Sequence, residues 1–450
     1  MRVVIIGGAA SGMTIASRIR KLSKETEVIV LQKEKYVSLG ACGLPYFVAN
    51  EEVSENDLLA RTIDEFSEQN ITIYPNSTVN KIDSENKEVY YVSNNKQHSL
   101  SYDKLVIATG AKPIVPLFAT VNNKNIFTLT RLEDAVNLKD KLKDKNVKKV
   151  AIIGSGFIGL EAAEMVAKYN KTVLLVEKAS MLASKVFDNE ISELLEQEFL
   201  KNNVTIYKNC ALTNLSENGN SLTLNFDNNM QFEVDLVILA IGFKPATEFL
   251  NDSGLKMLYN GAIIVNNQGR TNIENIYACG DCATSLNKLT NENGYTPLAT
   301  IARKFAKVVA DDILGIKNEF VGHIQSSIVK SFDAELASCG LNENSAKALG
   351  YDIKTVFIKD KDHSGYYPNP TLLALKLIVN KQTNTLLGAQ MYGSNLSVLR
   401  INFLISLIWN QIKLDKSLAQ IDLVYSPPFA RVVDIFHIAI EKLLKENNEQ

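Results

Sequence analysis

The chain carries the same local pattern twice, about 150 residues apart: an apolar strand, a glycine-rich turn and a helix. The first copy is Val3–Ile6, then Gly7-Gly8-Ala9-Ala10-Ser11-Gly12, then a helical stretch through Leu22. The second is Val150–Ile153, then Gly154-Ser155-Gly156-Phe157-Ile158-Gly159, then a helix to about Tyr169. A further apolar run follows each, Glu27–Leu31 and Thr172–Val176. Strand and helix alternating in this way fit a doubly wound parallel sheet. A glycine turn opening a helix also lets backbone approach a pyrophosphate, with N–H groups and the positive end of the helix dipole facing it. Two such units imply two dinucleotide sites.

The copies are unequal. Gly154, Gly156 and Gly159 complete G-x-G-x-x-G, and Glu177 ends the next strand 18 residues after Gly159. An acid there accepts hydrogen bonds from a ribose diol and repels a 2′-phosphate, whereas Lys178 beside it would pair with one. In the first copy Ala9 replaces the middle glycine, and Gln32 stands where the acid is expected. Gln still hydrogen-bonds a ribose hydroxyl, without the charge. Thr271–Asp281 reads as a strand whose terminal Gly280-Asp281 would set a carboxylate against a flavin's ribityl chain. FAD at the first unit and NADH or NADPH at the second are therefore expected.

Strand Lys104–Thr109 ends in Ala108-Thr109-Gly110, and Asp235–Ile241 ends in Gly242 with Pro245 beyond; both read as crossings between the nucleotide domains. The expected division is an FAD-binding domain over 1–112 and 246–325, an NAD(P)H-binding domain over 113–245, and a C-terminal α+β domain over 326–450. The fold class is α/β, with two doubly wound domains followed by the α+β domain. Asn94-Asn95-Lys96 and Glu217–Asn220 read as hairpin turns.

Composition narrows the function classes. Lys+Arg 48 against Asp+Glu 50 leaves no basic excess for a nucleic acid partner. Five cysteines are too few and oddly numbered for a disulfide framework, which favours a reducing compartment. Met1-Arg2 runs straight into the first strand, so no signal peptide is expected, and no apolar run is long enough for a membrane span. The most apolar stretch, Ile401–Trp409, reads as a buried helix. A cytoplasmic protein without a membrane partner is expected, disordered only at its polar tail, Lys445–Gln450.

Cys42, in Ser38-Leu39-Gly40-Ala41-Cys42-Gly43-Leu44-Pro45-Tyr46, follows the second strand of the first unit by ten residues past Gln32. An arbitrary cysteine is usually a small buried residue. Here the segment would return toward the flavin, and a helix beginning near Gly43 would depress the thiol pKa. A paired-cysteine reductase needs C-x4-C, but position 47 is Phe. A lone redox cysteine must cycle through a mixed disulfide or a sulfenic acid. Cys279 and Cys282 flank Gly280-Asp281 and read as small packing residues, and Cys210 and Cys339 as core residues in strands. His98, His323, His363 and His437 show no metal spacing, so no metal is expected.

Together Gly7–Gly12, Ser38–Tyr46, Ala108-Thr109-Gly110, Gly154–Glu161, Gly280-Asp281 and Tyr425-Ser426-Pro427-Pro428-Phe429 resemble the single-cysteine pyridine nucleotide–disulfide oxidoreductases. That family contains coenzyme A-disulfide reductases, NADH oxidases and NADH peroxidases. The resemblance implies an FAD-binding homodimer joined through the C-terminal domain. Cys42–Tyr46 and Leu58-Leu59-Ala60-Arg61-Thr62 resemble the coenzyme A-disulfide reductase form. So do Gly365-Tyr366-Tyr367-Pro368 and Tyr425–Pro428, which implies that Tyr366 and Tyr425 reach Cys42 of the opposite subunit. A phenol there would protonate or steady a departing coenzyme A thiolate; the alternative is that Tyr425 caps a Pro-Pro turn at the dimer interface.

By the same resemblance FAD would also touch Ala10, Lys33, Val79, Arg131, Pro297, Ala299 and Thr300, and NAD(P)H would touch Glu161 and Gly242. Phe157 would gate the flavin face. Coenzyme A phosphates would meet cations among Arg18, Lys21, Arg61, Arg303 and Lys307, with Thr14 and Ser38 as polar contacts. The implied reaction is reduction of coenzyme A disulfide to two thiols by NAD(P)H, with coenzyme A held on Cys42 as a mixed disulfide. Alternatives are an NADH oxidase or peroxidase cycling Cys42 through sulfenic acid, a persulfide-reducing variant, and a flavin-bound redox sensor.

Overall fold

In the computed structural model, which describes residues 1–119 and 123–446, strand Arg2–Ile6 is the centre of a five-stranded parallel sheet. The order is Ile276–Ala278, Lys104–Ile107, Arg2–Ile6, Glu27–Leu31, Thr72–Tyr74. Val3, Val4, Ile5 and Ile6 are buried without alternation. Side chains on both faces of a parallel sheet are covered, so its central strand reads as a continuous apolar run. Helices Ala10–Leu22 and Ala299–Ile313 pack on each other beside this sheet. An antiparallel sheet, Thr78–Asp83, Glu88–Ser93 and Lys96–Ser101, branches off before Lys104; its second turn is Asn94-Asn95, as the sequence suggested.

The second sheet repeats this plan. Lys149–Ile153 is central in the order Thr205–Tyr207, Thr172–Val176, Lys149–Ile153, Leu236–Leu239, Ile126–Phe127, all parallel. A second antiparallel branch, Leu212–Asn218, Ser221–Phe226 and Gln231–Val234, precedes Leu236.

From Ser327 the pattern changes. Five antiparallel strands run in the order Ser327–Ser331, Ala334–Gly340, Thr385–Gly393, Leu372–Asn380, Ile353–Lys361. Helix Ile401–Trp409 packs on Ala334–Gly340 and Thr385–Gly393, and Ile435–Glu446 packs on the strands at the opposite edge. The chain is therefore α/β, with two doubly wound sheets and an α+β segment. Cys339 lies in a strand as expected; Cys210 is buried but precedes the strand Leu212–Asn218.

The chain gathers into two compact units. One comprises Met1–Ile114, Thr130–Asn137 and Gly242–His323; the other comprises Val115–Leu129, Leu138–Ile241 and Ile324–Gln450. In the first, Ala111–Pro113 pairs antiparallel with Phe243–Pro245, so the outgoing and returning chain run side by side. Thr130–Asn137, which the sequence division assigned to 113–245, falls within this first unit: Tyr36 donates its hydroxyl to Glu133 at 3.0 Å and accepts the Leu132 N–H at 3.1 Å. No described helix is long and apolar enough to cross a membrane. The tail expected to be disordered lies, over 447–450, outside the described residues.

Candidate active site

The first glycine turn is dictated by backbone contact. Gly7 has φ +106°, and a Cβ on it would sit 2.2 Å from the Ala108 carbonyl oxygen. A Cβ on Gly12 would meet the Gly7 carbonyl at 1.9 Å. The helix that follows has Ala9 at its cap and no side-chain hydrogen bond there, so its leading N–H groups face outward. A Cβ on Gly280 would lie 2.2 Å from Ser11 Oγ, and the Cys279 N–H donates to Ile107 O. These contacts gather Gly7, Ala9, Ala10, Gly12, Ala108 and Gly280 at one end of the first sheet.

Asp281 lies beside them. Burial pushes its carboxyl pKa up, and among the described residues nothing donates to it. The Tyr295 hydroxyl is likewise buried without a partner, and its pKa is raised by burial and then by the nearby Asp281 and Cys282. Tyr295 was missed in the sequence; its place two residues before Pro297, at the approach to helix Ala299–Ile313, is a weak signal. Pro297, Ala299 and Thr300 are exposed at that helix's start, where no side chain caps it. Val79 is buried in the antiparallel branch, and Arg131 pairs with Asp134 at 2.8 Å.

The cysteine segment is tied back onto the same turn. The Ser38 N–H donates to Gly8 O at 2.8 Å, and Ser38 holds a left-handed φ of +55°. Gly40 N–H donates to Leu58 O at 2.7 Å and Ala60 N–H to Ser38 O at 3.1 Å, so the Leu58–Ala60 strip brackets the loop. A Cβ on Gly43 would meet Leu58 Cδ2 at 2.5 Å. Cys42 sits exposed in the short 3-10 turn Ala41–Gly43, with helix Leu44–Ala49 beginning two residues on. Cys279 and Cys282 are buried, and burial raises both thiol pKa values, in keeping with packing roles.

The second turn closes by the same contacts. Gly154 has φ +103° with a virtual Cβ 2.5 Å from Ala240 O, and a Cβ on Gly159 would meet Gly154 O at 2.0 Å. Gly156 has nothing within 4 Å and caps helix Phe157–Ala167 without a side-chain bond. Glu177 anchors this turn: Oε2 accepts from Ser155 N–H at 2.8 Å and Ser155 Oγ–H at 2.6 Å, and Oε1 accepts from Ala179 N–H. Lys178 is exposed beside it. Ile158 and Glu161 follow on the helix; Gly242 has φ +117° and belongs to the first unit.

In the C-terminal segment the Tyr366 and Tyr425 hydroxyls are 2.5 Å apart. The hydrogen bond lowers the pKa of Tyr366 and raises that of Tyr425, as expected if Tyr425 donates. Their loops are laced together: Ser364 Oγ–H donates to Ala430 O, and Arg400 Nη2 donates both to Asp362 O at 3.0 Å and to Phe429 O at 2.8 Å.

The expected coenzyme A cations divide. Arg18 is partly exposed but paired: its guanidinium grips Asp311 in a bidentate pair at 2.5 and 2.7 Å, fastening helix Ala10–Leu22 to Ala299–Ile313. Burial raises the Asp311 carboxyl, but bonds from Arg18 and Asn318 outweigh it and hold the pKa low. Lys21, Arg303 and Lys307 are exposed on the same two helices, with no ion pair among the described residues. Arg61 stacks over Phe66, and Thr14 donates to Ala10 O. No group of His, Cys, Asp and Glu that could hold a metal occurs among the described residues.

Residues 1–304 match the family model described as pyridine nucleotide-disulphide oxidoreductase, and residues 326–435 match the dimerisation domain of the same name. The chain belongs to the pyridine nucleotide-disulphide oxidoreductases. It is 34% identical, over 99% of its length and 98% of the relative's, to the NAD(P)H coenzyme A polysulfide/persulfide reductase of Pyrococcus horikoshii. Its identity to the coenzyme A disulfide reductase of Staphylococcus epidermidis is 30%, covering 97% of this chain and 98% of the relative. The solved NAD-dependent persulfide reductase from A. fulgidus superposes with TM-score 0.95 at 33% identity, covering all of this chain and 84% of that one.

Membership in this family of oxidoreductases implies FAD and NAD(P)H, and the residues fit both. At the first turn, glycines that tolerate no Cβ stand beside a partly buried carboxylate without a donor and an orphaned tyrosine hydroxyl. A ribityl chain carries hydroxyls that would satisfy such groups. At the second, Gly156 leaves open space against helix N–H groups, and Glu177 is fixed beside them.

Proposed function

We propose that this protein reduces coenzyme A disulfide to two coenzyme A thiols at the expense of NAD(P)H, with Cys42 as its single redox cysteine. The observation that carries this reading is the tie from Ser38 N–H to Gly8 O, which holds the exposed Cys42 loop on the first glycine turn while Phe47 occupies the place of a second thiol. The printed names of the relatives support the substrate class. FAD, when bound at the first turn, supplies the passage of two electrons from NAD(P)H to the cysteine.

The Cys42 thiolate attacks one sulfur of the disulfide; that S–S bond breaks, one coenzyme A thiolate leaves, and a Cys42–coenzyme A mixed disulfide forms. Two electrons from NAD(P)H then break the mixed disulfide, restoring the Cys42 thiolate and releasing the second coenzyme A. With one proton from the reduced nucleotide and one from solvent, each NAD(P)H oxidised yields two thiols. Tyr366 and Tyr425 serve as the phenols that protonate the departing thiolate, from the partner of a homodimer formed through the dimerisation domain. Lys21, Arg303 and Lys307 receive the coenzyme A phosphates. The remaining cofactor assignments and the division 1–112 with 246–325, 113–245 and 326–450 belong to this proposal, as does a cytoplasmic location.

The test is anaerobic oxidation of NADH and NADPH with coenzyme A disulfide while released thiol is titrated. Two thiols per nucleotide are expected, and Cys42→Ser should abolish thiol release yet leave flavin bleaching by NAD(P)H intact. Turnover surviving in the serine variant would defeat the single-cysteine reading. Nucleotide consumption that begins only when oxygen enters would move the assignment to an NADH oxidase.

A further inference from the structure

We infer that Glu34, rather than the residue ending the strand, is the charged acceptor for the adenosine ribose of the dinucleotide at the first turn. This rests on the reading that the first turn holds FAD. At the second turn Glu177 does two jobs at once: its carboxylate takes the Ser155 N–H and keeps a negative charge beside the glycines. At the first turn the equivalent position is Gln32, 8% exposed. Its Oε1 accepts the Gly8 N–H at 2.8 Å, repeating the structural job.

Its amide nitrogen is fully committed: Nε2 donates to Glu34 Oε2 at 3.0 Å and to Tyr36 O at 3.1 Å, using both hydrogens. A glutamate at position 32 would turn an oxygen toward a carbonyl and a second carboxylate, so this surround accepts Gln and disfavours an acid. The charge has moved two residues along the chain. The chain bends after Gln32, and the Gln32–Glu34 bond holds the carboxylate beside the amide. Glu34 is half-buried, and the Arg131 guanidinium is near enough to feel its charge. Glu34 Oε1 accepts no hydrogen bond among the described residues, leaving an anionic oxygen for a pair of hydroxyls. The Gln32–Glu34 pair thus divides between two side chains what Glu177 does alone.

The full-length protein, stripped of flavin, would be titrated with FAD and with FAD carrying 2′-deoxyribose in its adenosine half, reading flavin fluorescence. Wild type should bind FAD more tightly than the deoxy analogue. Glu34→Gln should weaken FAD about tenfold, the scale of one charge-assisted hydrogen bond, and should bring the two ligands to near-equal affinity. Glu34→Asp, which keeps the charge on a shorter stem, should retain part of the preference. Gln32→Glu should not tighten FAD. An unchanged ligand ratio in Glu34→Gln, or equal losses for both ligands, overturns the assignment while leaving FAD binding in place. Failure of wild type to bind FAD would instead defeat the reading of the first turn itself.

Discussion

At Gly7 and at Gly154 the chain turns from strand to helix with nearly the same backbone: φ +106° and +103°, a virtual Cβ 2.2 or 2.5 Å from a neighbouring strand's carbonyl, and a third glycine pressed to within 1.9 or 2.0 Å of the first. The N–H of each leading glycine donates to the carbonyl of the preceding residue on the next strand, Leu31 or Val176, at 2.8 Å. Everything required for the chain to pass through itself is repeated. What differs lies outside the glycine packing itself: Ala9 against Gly156, Gln32 with Glu34 against Glu177, and the Cys42 loop tied to the first turn. The repeated parts are steric necessities, and the unrepeated parts are where the ligands differ.

That comparison breaks most directly at the glycines. Gly12→Ala and Gly159→Ala each drive a methyl into a backbone oxygen that cannot move without opening the turn. Each should cost about 3 kcal/mol or more, at the severe end of overpacking, measured by urea unfolding of the full chain. Gly156→Ala should be nearly silent in the same measurement, since its φ of −67° suits alanine and nothing lies within 4 Å. It should instead raise the KM for NADH, because the open space is where a pyrophosphate approaches. A Gly156→Ala loss in stability as large as that of Gly159→Ala would end the distinction between steric and ligand-facing glycines.

The acids give the next largest effect. Glu177→Gln is the substitution that the first turn has already made at Gln32, but here the amide would face the Ala179 N–H, so the fold should lose about 1–3 kcal/mol. The loss should appear in specificity: without the charge, kcat/KM for NADPH relative to NADH should rise about tenfold, the more so because Lys178 stands exposed alongside. An unchanged ratio would mean that Glu177 serves only to hold Ser155.

These turns were legible in the sequence because local sterics wrote them. A residue facing a carbonyl at 2 Å has to be glycine, and a strand buried on both faces has to be apolar along its length. Glu34 and Tyr295 were not legible, because each matters through a neighbour that only folding supplies: the Gln32 amide in one case, Asp281 in the other. The pairing of Arg18 was hidden for the same reason: its partner Asp311 is 293 residues away in the chain. The tie from Ser38 to Gly8 depends on a left-handed serine that no turn rule would have selected. The two parallel doubly wound sheets followed from the strand–helix alternation, whereas the two antiparallel branches showed only as hairpin turns.

The smallest predicted effect concerns the pair of phenols in the C-terminal segment, which the second turn does not touch in the proposed mechanism. If Tyr425 donates to Tyr366 across their 2.5 Å contact, it stabilises the Tyr366 phenolate and draws its pKa down. If Tyr366 delivers a proton to the leaving thiolate, the active form is the phenol, present below that pKa and lost as pH rises through it. Thiol release should therefore fall off on the alkaline side. Tyr425→Phe removes the donor, so the Tyr366 pKa returns upward and the alkaline limb should shift to higher pH. Tyr366→Phe should lower the rate and flatten the limb. Thiol release measured across this range decides between the two roles available to Tyr425. An alkaline limb that stays where it is in Tyr425→Phe assigns that residue to the Pro-Pro turn and leaves Tyr366 to act alone.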